Sequence, residues 1–243
     1  MDGIELCLRF SLPPHEKGLC GVQDGSGVLR AYLEGASSAD EARMRLERFE
    51  GLHPYLSGIA RRLGKDWLDP VVVETYWVGS DALGQFTRDD MRWILQRYVR
   101  NKTGSDAMAQ AAAQKLIEPL PERVAPHHNF HVLYLCAGPH TLAPAVVGEF
   151  DQCRVGWGRV RRKLTDAIVV DWTPLVYECG KYVLGGIVER SVRYDAAFLQ
   201  EPRVGEVVAV HWGMAVLRLD DERLKNLKDA TRSTLELVNS IKS

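Results

Sequence analysis

Residues 153–172, CRVGWGRVRRKLTDAIVVDW, decide how this chain is read. Glycines punctuate a short apolar run here and β-branched residues recur, which predicts short strands separated by turns. Downstream, AIVVDWTPLVYE (167–178), KYVLGGIVERSVRY (181–194), EVVAVHWG (206–213) and MAVLRL (214–219) carry the same signature. On this reading Cys153 begins a strand and His211 ends one. Several short strands in succession suit a small barrel better than a helical layer. The tail 220–243 returns to helical period, with Leu224, Leu227, Thr231, Leu235 and Val238 on one stripe.

Upstream the signals are helical. Ser38 followed by Glu41 has the spacing of a capping box before Met44, Leu46 and Phe49. In HPYLSGIARRLG (53–64), Pro54 stands in a first turn, Tyr55, Leu56, Ile59 and Leu63 share a face, and Gly64 stands where a left-handed end is wanted. DPVVVETYWVG (69–79) repeats the Asp-Pro opening, although its valines are equally a strand signal. Thr87 caps TRDDMRWILQRYVRN, and the Ala-rich segment 105–118 follows as another helix. Pro119, Pro121 and Pro126 then break the helical pattern, and HHNFHVLYLCAG (127–138) reads as a buried strand. The Gly- and Pro-punctuated segment 138–151 is a connector. The expected organisation is a mainly helical domain over 1–126, a strand and connector over 127–150, and a β-rich unit over 151–243.

Composition narrows the function classes. Lys plus Arg number 31 against 32 Asp plus Glu in 243 residues, a net charge of -1, which argues against a chain built to neutralise phosphates. MDGIELCLRFSLPP (1–14) has no long apolar run, so neither a secretory signal nor a membrane span is expected, and the location implied is cytoplasmic. The five cysteines form no Cys-x-x-Cys pair, so reduced thiols are the default. Pro13 and Pro14 predict a fixed turn between Cys7 and Cys20 that offers a way to bring the two together, although separate packing is the commoner outcome for such a pair.

The residues with chemical promise are few. Cys153 and His211 carry the two softest common metal ligands, a thiolate and an imidazole. Arg154, Arg159, Arg161, Arg162 and Lys163 would supply a positive field favouring the Cys153 thiolate. Set against this, a lone Cys is usually a small buried hydrophobe, and a His before Trp212 a hydrogen-bonded core residue. A second candidate metal site is His127, His128 and His131, which needs Cys20, Cys7, His15 or His140 to complete it. The same basic run on a barrel face could contact nucleic acid, although few aromatics interleave with it.

The C-terminal third resembles the HypC/HupF family of nickel–iron hydrogenase maturation chaperones. Cys153, then Gly158, Arg159 and Val160, then Gly205, Glu206, His211, Gly213 and Ala215 follow that family's order across roughly residues 153–238. The likeness implies an OB-like β-barrel with a C-terminal helix, and with the helical signals upstream the expected fold is α+β, a helical N-terminal domain followed by that barrel. It further implies a non-catalytic carrier or docking protein for iron bearing cyanide and carbon monoxide. The partners would be the hydrogenase large subunit or other maturation proteins. Cys153 would hold the iron and His211 would orient it, while Tyr55, Trp67, Tyr76, Trp77 and Trp93 of the helical half would recognise a partner. This sequence departs from the pattern in placing the Cys internally, followed by Val155, Gly156, Trp157 and Gly158. The pattern LC-x-R-xxx-PP-xxx-G-x-CG over residues 6–21 and a His-His-x-Phe-x-Val run resemble an uncharacterised family along the whole chain. A small metalloenzyme using His127, His131 and the thiols is the alternative reading, with an OB-type nucleic-acid binder behind it.

Overall fold

The protein is described from a computed structural model covering residues 1–21, 26–136 and 146–241. It divides into two compact units, Met1–His127 and His128–Ser243. Among the described residues no helix is long and apolar enough to cross a membrane.

The first unit is helical: α1 (Gly3–Glu16), α2 (Ser26–Leu33), α3 (Ala39–Glu47), α4 (Leu52–Leu63), α5 (Pro70–Trp77), α6 (Arg88–Thr103) and α7 (Asp106–Ile117). Side-chain caps set the starts of most of these helices. Ser38, Asp69, Thr87 and Ser105 each accept a hydrogen bond from a backbone N–H of their helix's first turn, and Thr87 with Asp90 completes a reciprocal capping box. The valine run after Asp69 is therefore helical, since the Asp69 carboxylate satisfies Val71 N–H and Pro70 lacks the donor that a helix start wastes. Pro13 and Pro14 form no turn. They lie inside α1, with Cys7 buried in the same helix and Cys20 exposed beyond it.

The second unit opens with a short helix, α8 (His128–Phe130), continued by a π-helical turn over His131–Cys136. The strand expected here does not form. Phe130, Val132, Leu133 and Tyr134 are all buried, so the run shows neither period, and a short apolar run cannot separate strand from helix. Most of the expected connector lies outside the described residues, but its end is α9 (Val147–Cys153). Cys153 thus closes a helix rather than beginning a strand. The strands are β1 (Gly156–Lys163), β2 (Ala167–Trp172), β3 (Leu175–Glu178), β4 (Lys181–Leu184), β5 (Val188–Tyr194), β6 (Val207–His211) and β7 (Met214–Leu219), followed by α10 (Asp221–Ile241).

Five strands pair in the order β1-β2-β5-β7-β6, and β6 returns to β1, so the sheet closes. All its pairs are antiparallel except β5 with β7. Register shifts at Arg161 of β1, opposite β2, and at Val216 of β7, opposite β6, supply the local bending that closure of so few strands requires. Val160, Ile168, Val170, Val192, Val208 and Val210 fill the interior, while β3 and β4 form a separate hairpin inserted between β2 and β5. Leu227, Thr231, Leu235 and Val238 form the buried side of α10, as the helical period predicts.

Gly156 marks a tight approach at the start of β1. A Cβ there would lie 2.2 Å from the outer ring carbon of Trp172 and 2.8 Å from the Arg154 guanidinium. Both neighbours are buried, so Gly156→Ala is expected to destabilise the second unit by about 1–3 kcal/mol, read as a lower denaturant midpoint. An unchanged midpoint would mean that Trp172 moves aside without cost.

Candidate metal centre

Three donors from three segments of the second unit meet. His128 begins α8, Cys153 ends α9 and His211 ends β6, and one ligand atom from each lies within 4.8 Å of the others. Both histidines are buried, whereas Cys153 is half-buried, which gives the group an open side. The two imidazoles meet edge-on, with centroids 5.0 Å apart at 82°.

Hydrogen bonds between segments hold this geometry. His128 Nε2 donates to the Cys153 carbonyl at 2.9 Å. A carbonyl only accepts, so Nε2 carries the proton and the lone pair of a neutral ring is on Nδ1. Asn129, fully buried, pairs with one peptide group: its Nδ2 donates to the Val155 carbonyl (3.0 Å) and its Oδ1 accepts from Val155 N–H (2.8 Å). Its Nδ2 also donates to the Thr231 hydroxyl on α10 at 2.9 Å. On the third side, Trp212 N–H donates to the Gln152 carbonyl at 2.8 Å. Trp212 and Gly213 have φ of 51° and 74°, the two left-handed residues that a tight two-residue hairpin needs, so His211 sits at a fixed corner.

A buried ion-pair network anchors the last turn of α9. The Asp151 carboxylate accepts from Trp172 Nε1 (3.0 Å), Leu175 N–H (2.8 Å), Arg190 (2.7 Å) and Arg154 (2.9 Å), and both guanidiniums lie against the Trp172 ring. Asp151 and Arg154 bracket Cys153 in sequence, so this network fixes the backbone carrying the thiol.

A thiolate with two imidazoles is a donor set for first-row transition metals. No carboxylate belongs to the group, which disfavours the hard cations calcium and magnesium. Three protein donors on one side leave further coordination positions for exogenous ligands, as in open metal sites.

The whole chain, residues 1–243, matches the model of a family of unknown function, DUF6390. The chain belongs to DUF6390. No curated protein and no solved structure matches this DUF6390 chain. None of these comparisons extends to the hydrogenase chaperones.

Other residues singled out from the DUF6390 sequence fall elsewhere. His127, adjacent to His128, belongs to the first unit, where it is fully buried and hydrogen-bonded to the backbone of Trp77 and Val78. Burial pushes its imidazole down to about 3, so it is a neutral structural histidine. His131 stacks on His128 with centroids 6.4 Å apart but is outside the three-donor group. Cys20 is exposed in the first unit, its carbonyl bound to His15 Nδ1 at 2.7 Å, and burial pushes the Cys7 thiol up to about 12. His140 lies outside the described residues.

Three of the five cations expected to surround Cys153 are ion-paired. Arg154 pairs with Asp151, Arg161 with Asp171 (2.7 Å) and Arg162 with Glu189 (3.1 Å). The same pairing weakens the nucleic-acid reading of this run. Tyr55, Trp67, Tyr76 and Trp77 are buried in the helical unit, which leaves Trp93 as the partly exposed member of the aromatic set proposed for partner recognition. What the sequence did not reveal was the choice of His128 among its neighbours, because a strand reading places His127 and His131 together.

Proposed function

We propose that this DUF6390 protein is a non-catalytic maturation or assembly factor whose Cys153 and His211 hold a soft metal cargo. The cargo is the iron-cyanide-carbonyl unit destined for a nickel–iron hydrogenase large subunit, or for another maturation protein acting on it. The observation carrying this reading is the meeting of Cys153 and His211, far apart in sequence, at one point with His128. Strand order supports it. A five-stranded sheet closed in the order β1-β2-β5-β7-β6 with a single parallel pair is compatible with the OB-like plan that the HypC/HupF resemblance implies. The thiolate supplies the soft anionic donor, and His211 at the hairpin corner orients whatever the sulfur binds.

The half-buried position of Cys153 suits a carrier, since cargo must arrive and leave. A small metalloenzyme built on His127 and His131 is the weaker reading, because His127 is committed to the backbone of Trp77 and Val78. The test is infrared spectroscopy of protein purified without oxygen from cells expressing the hydrogenase-maturation machinery. Cyanide and carbonyl bands are expected in the wild type and are expected to vanish in Cys153→Ala. Reduced, folded wild-type protein with neither iron nor bands would exclude the carrier role.

A further inference from the structure

We infer that His128 is a third ligand, through Nδ1, so that this chain alone presents a two-histidine, one-thiolate face to a divalent first-row transition ion. This goes beyond the cargo reading and stands without it, because it needs no hydrogenase and no diatomic ligand.

Three observations carry the inference. One ring nitrogen of His128, one of His211 and the Cys153 sulfur fall within 4.8 Å of one another, a span that one metal ion can bridge with small side-chain adjustments. His128 is oriented as ligating histidines are, its Nε2–H fixed by a backbone carbonyl, which selects the tautomer with a basic Nδ1. That carbonyl belongs to Cys153 itself, so the hydrogen bond that orients the imidazole also sets the backbone bearing the thiol. The next residue, Asn129, is locked to the Val155 peptide and to Thr231 of α10, so α8 is pinned on the far side of Cys153 as well. A ligand held this way is organised before the metal arrives.

The donor chemistry selects the class of ion. One thiolate and two imidazoles suit cobalt, nickel, zinc or iron in the divalent state, and the three protein donors leave room for one or more small exogenous ligands. On binding, the Cys153 thiol releases its proton to solvent and the sulfur lone pair forms the metal bond. The two imidazoles bind as neutral donors, and no electron is transferred.

The test uses the full-length reduced protein and cobalt(II) under argon. A sulfur-to-cobalt charge-transfer absorption and visible bands reporting the coordination geometry are expected at one equivalent. Cys153→Ser should remove the charge-transfer absorption. His128→Gln keeps a donor for the Cys153 carbonyl but has no imidazole, and it should weaken cobalt binding at least about 100-fold, with circular dichroism confirming the fold. Nitrogen-15 spectra of the zinc(II) form should show His128 metallated at Nδ1 and protonated at Nε2. Unaltered affinity in folded His128→Gln, or metallation at Nε2, would overturn the assignment. Cobalt bound by three donors in a protein that never yields iron-cyanide-carbonyl bands would retain this metal site and dismiss the hydrogenase cargo.

Discussion

Asp151→Ala is expected to destabilise the second unit by about 3–5 kcal/mol, because it leaves the Arg154 guanidinium buried without its counter-charge. Arg154 is 1% exposed, and burial already pushes its basicity below the ordinary value while Asp151 pulls it back. Arg190 is partly exposed and can turn to water, but Arg154 cannot. The mutation also strips acceptors from Trp172 Nε1 and Leu175 N–H, both buried. Asp151→Asn separates the causes in part: Trp172 Nε1 and Leu175 N–H bond to different carboxylate oxygens, so the one amide oxygen keeps an acceptor for one of them, while the neutral amide cannot balance the guanidinium. Most of the loss should therefore persist in Asp151→Asn. Pairing Asp151→Ala with Arg154→Met should recover much of it, because replacing both members of a buried pair by apolar groups is often nearly neutral. Denaturant unfolding followed by amide exchange in β2 and β5 reads the effect. A cost below about 1 kcal/mol would show that water reaches Arg154, as in a surface pair. The site should respond too, with cobalt binding weakened in folded Asp151→Asn, since the last turn of α9 carries Cys153.

The helices with capped starts were legible because a cap is a local device: Ser38, Asp69, Thr87 and Ser105 each bond to a backbone group within three residues. The strands from β1 to β7 were legible for a similar reason, being short and punctuated. Two apparent single strands, 167–178 and 181–194, are each divided, at Thr173–Pro174 and at Gly185–Gly186, where the β3–β4 hairpin leaves the closed sheet. The misreadings cluster around the site. Residues 127–138 read as a strand because the apolar run shows no helical period, Phe130, Val132, Leu133 and Tyr134 all being buried; residues 147–151 of α9 read as connector because Gly and Pro precede them, and Cys153 at its end reads as the start of a strand. Those two segments carry His128 and Cys153. Cys153 and His211 could be selected by donor softness and by resemblance, but choosing His128 over His127 and His131 required the turn that α8 makes after the prolines. Long-range hydrogen bonds such as Asn129 to Val155 fix that turn and leave no local signature.

Acidification from pH 7 to pH 5 is expected to remove about 2 kcal/mol from the first unit through His127 alone. In the folded protein burial holds this imidazole at about 3, whereas in the unfolded chain it returns to its ordinary 6.5. Above 6.5 both states are neutral there and the contribution is fully present. Below it the unfolded chain takes up a proton that the folded unit refuses, so stability falls by ~1.4 kcal/mol per pH unit until the folded value is reached. His127→Gln isolates this effect, because glutamine can still donate to the backbone of Trp77 or Val78 but cannot ionise. Its stability should be nearly flat from pH 7 to pH 5 apart from His53, whose imidazole burial also lowers and which remains in the variant. Asp66 and Asp69 are held below the ordinary carboxylate range by Arg43 and by Val71 N–H respectively, and they enter only at lower pH. Urea unfolding at the two pH values, followed by exchange of α5 and α6 amides, measures the difference. Equal losses in wild type and variant would mean that His127 gains solvent or an acidic partner, and the neutral structural role assigned to it would fall. A steep wild-type loss with a flat variant would separate His127 from metal chemistry, leaving His128 as the histidine of the pair that can ligate.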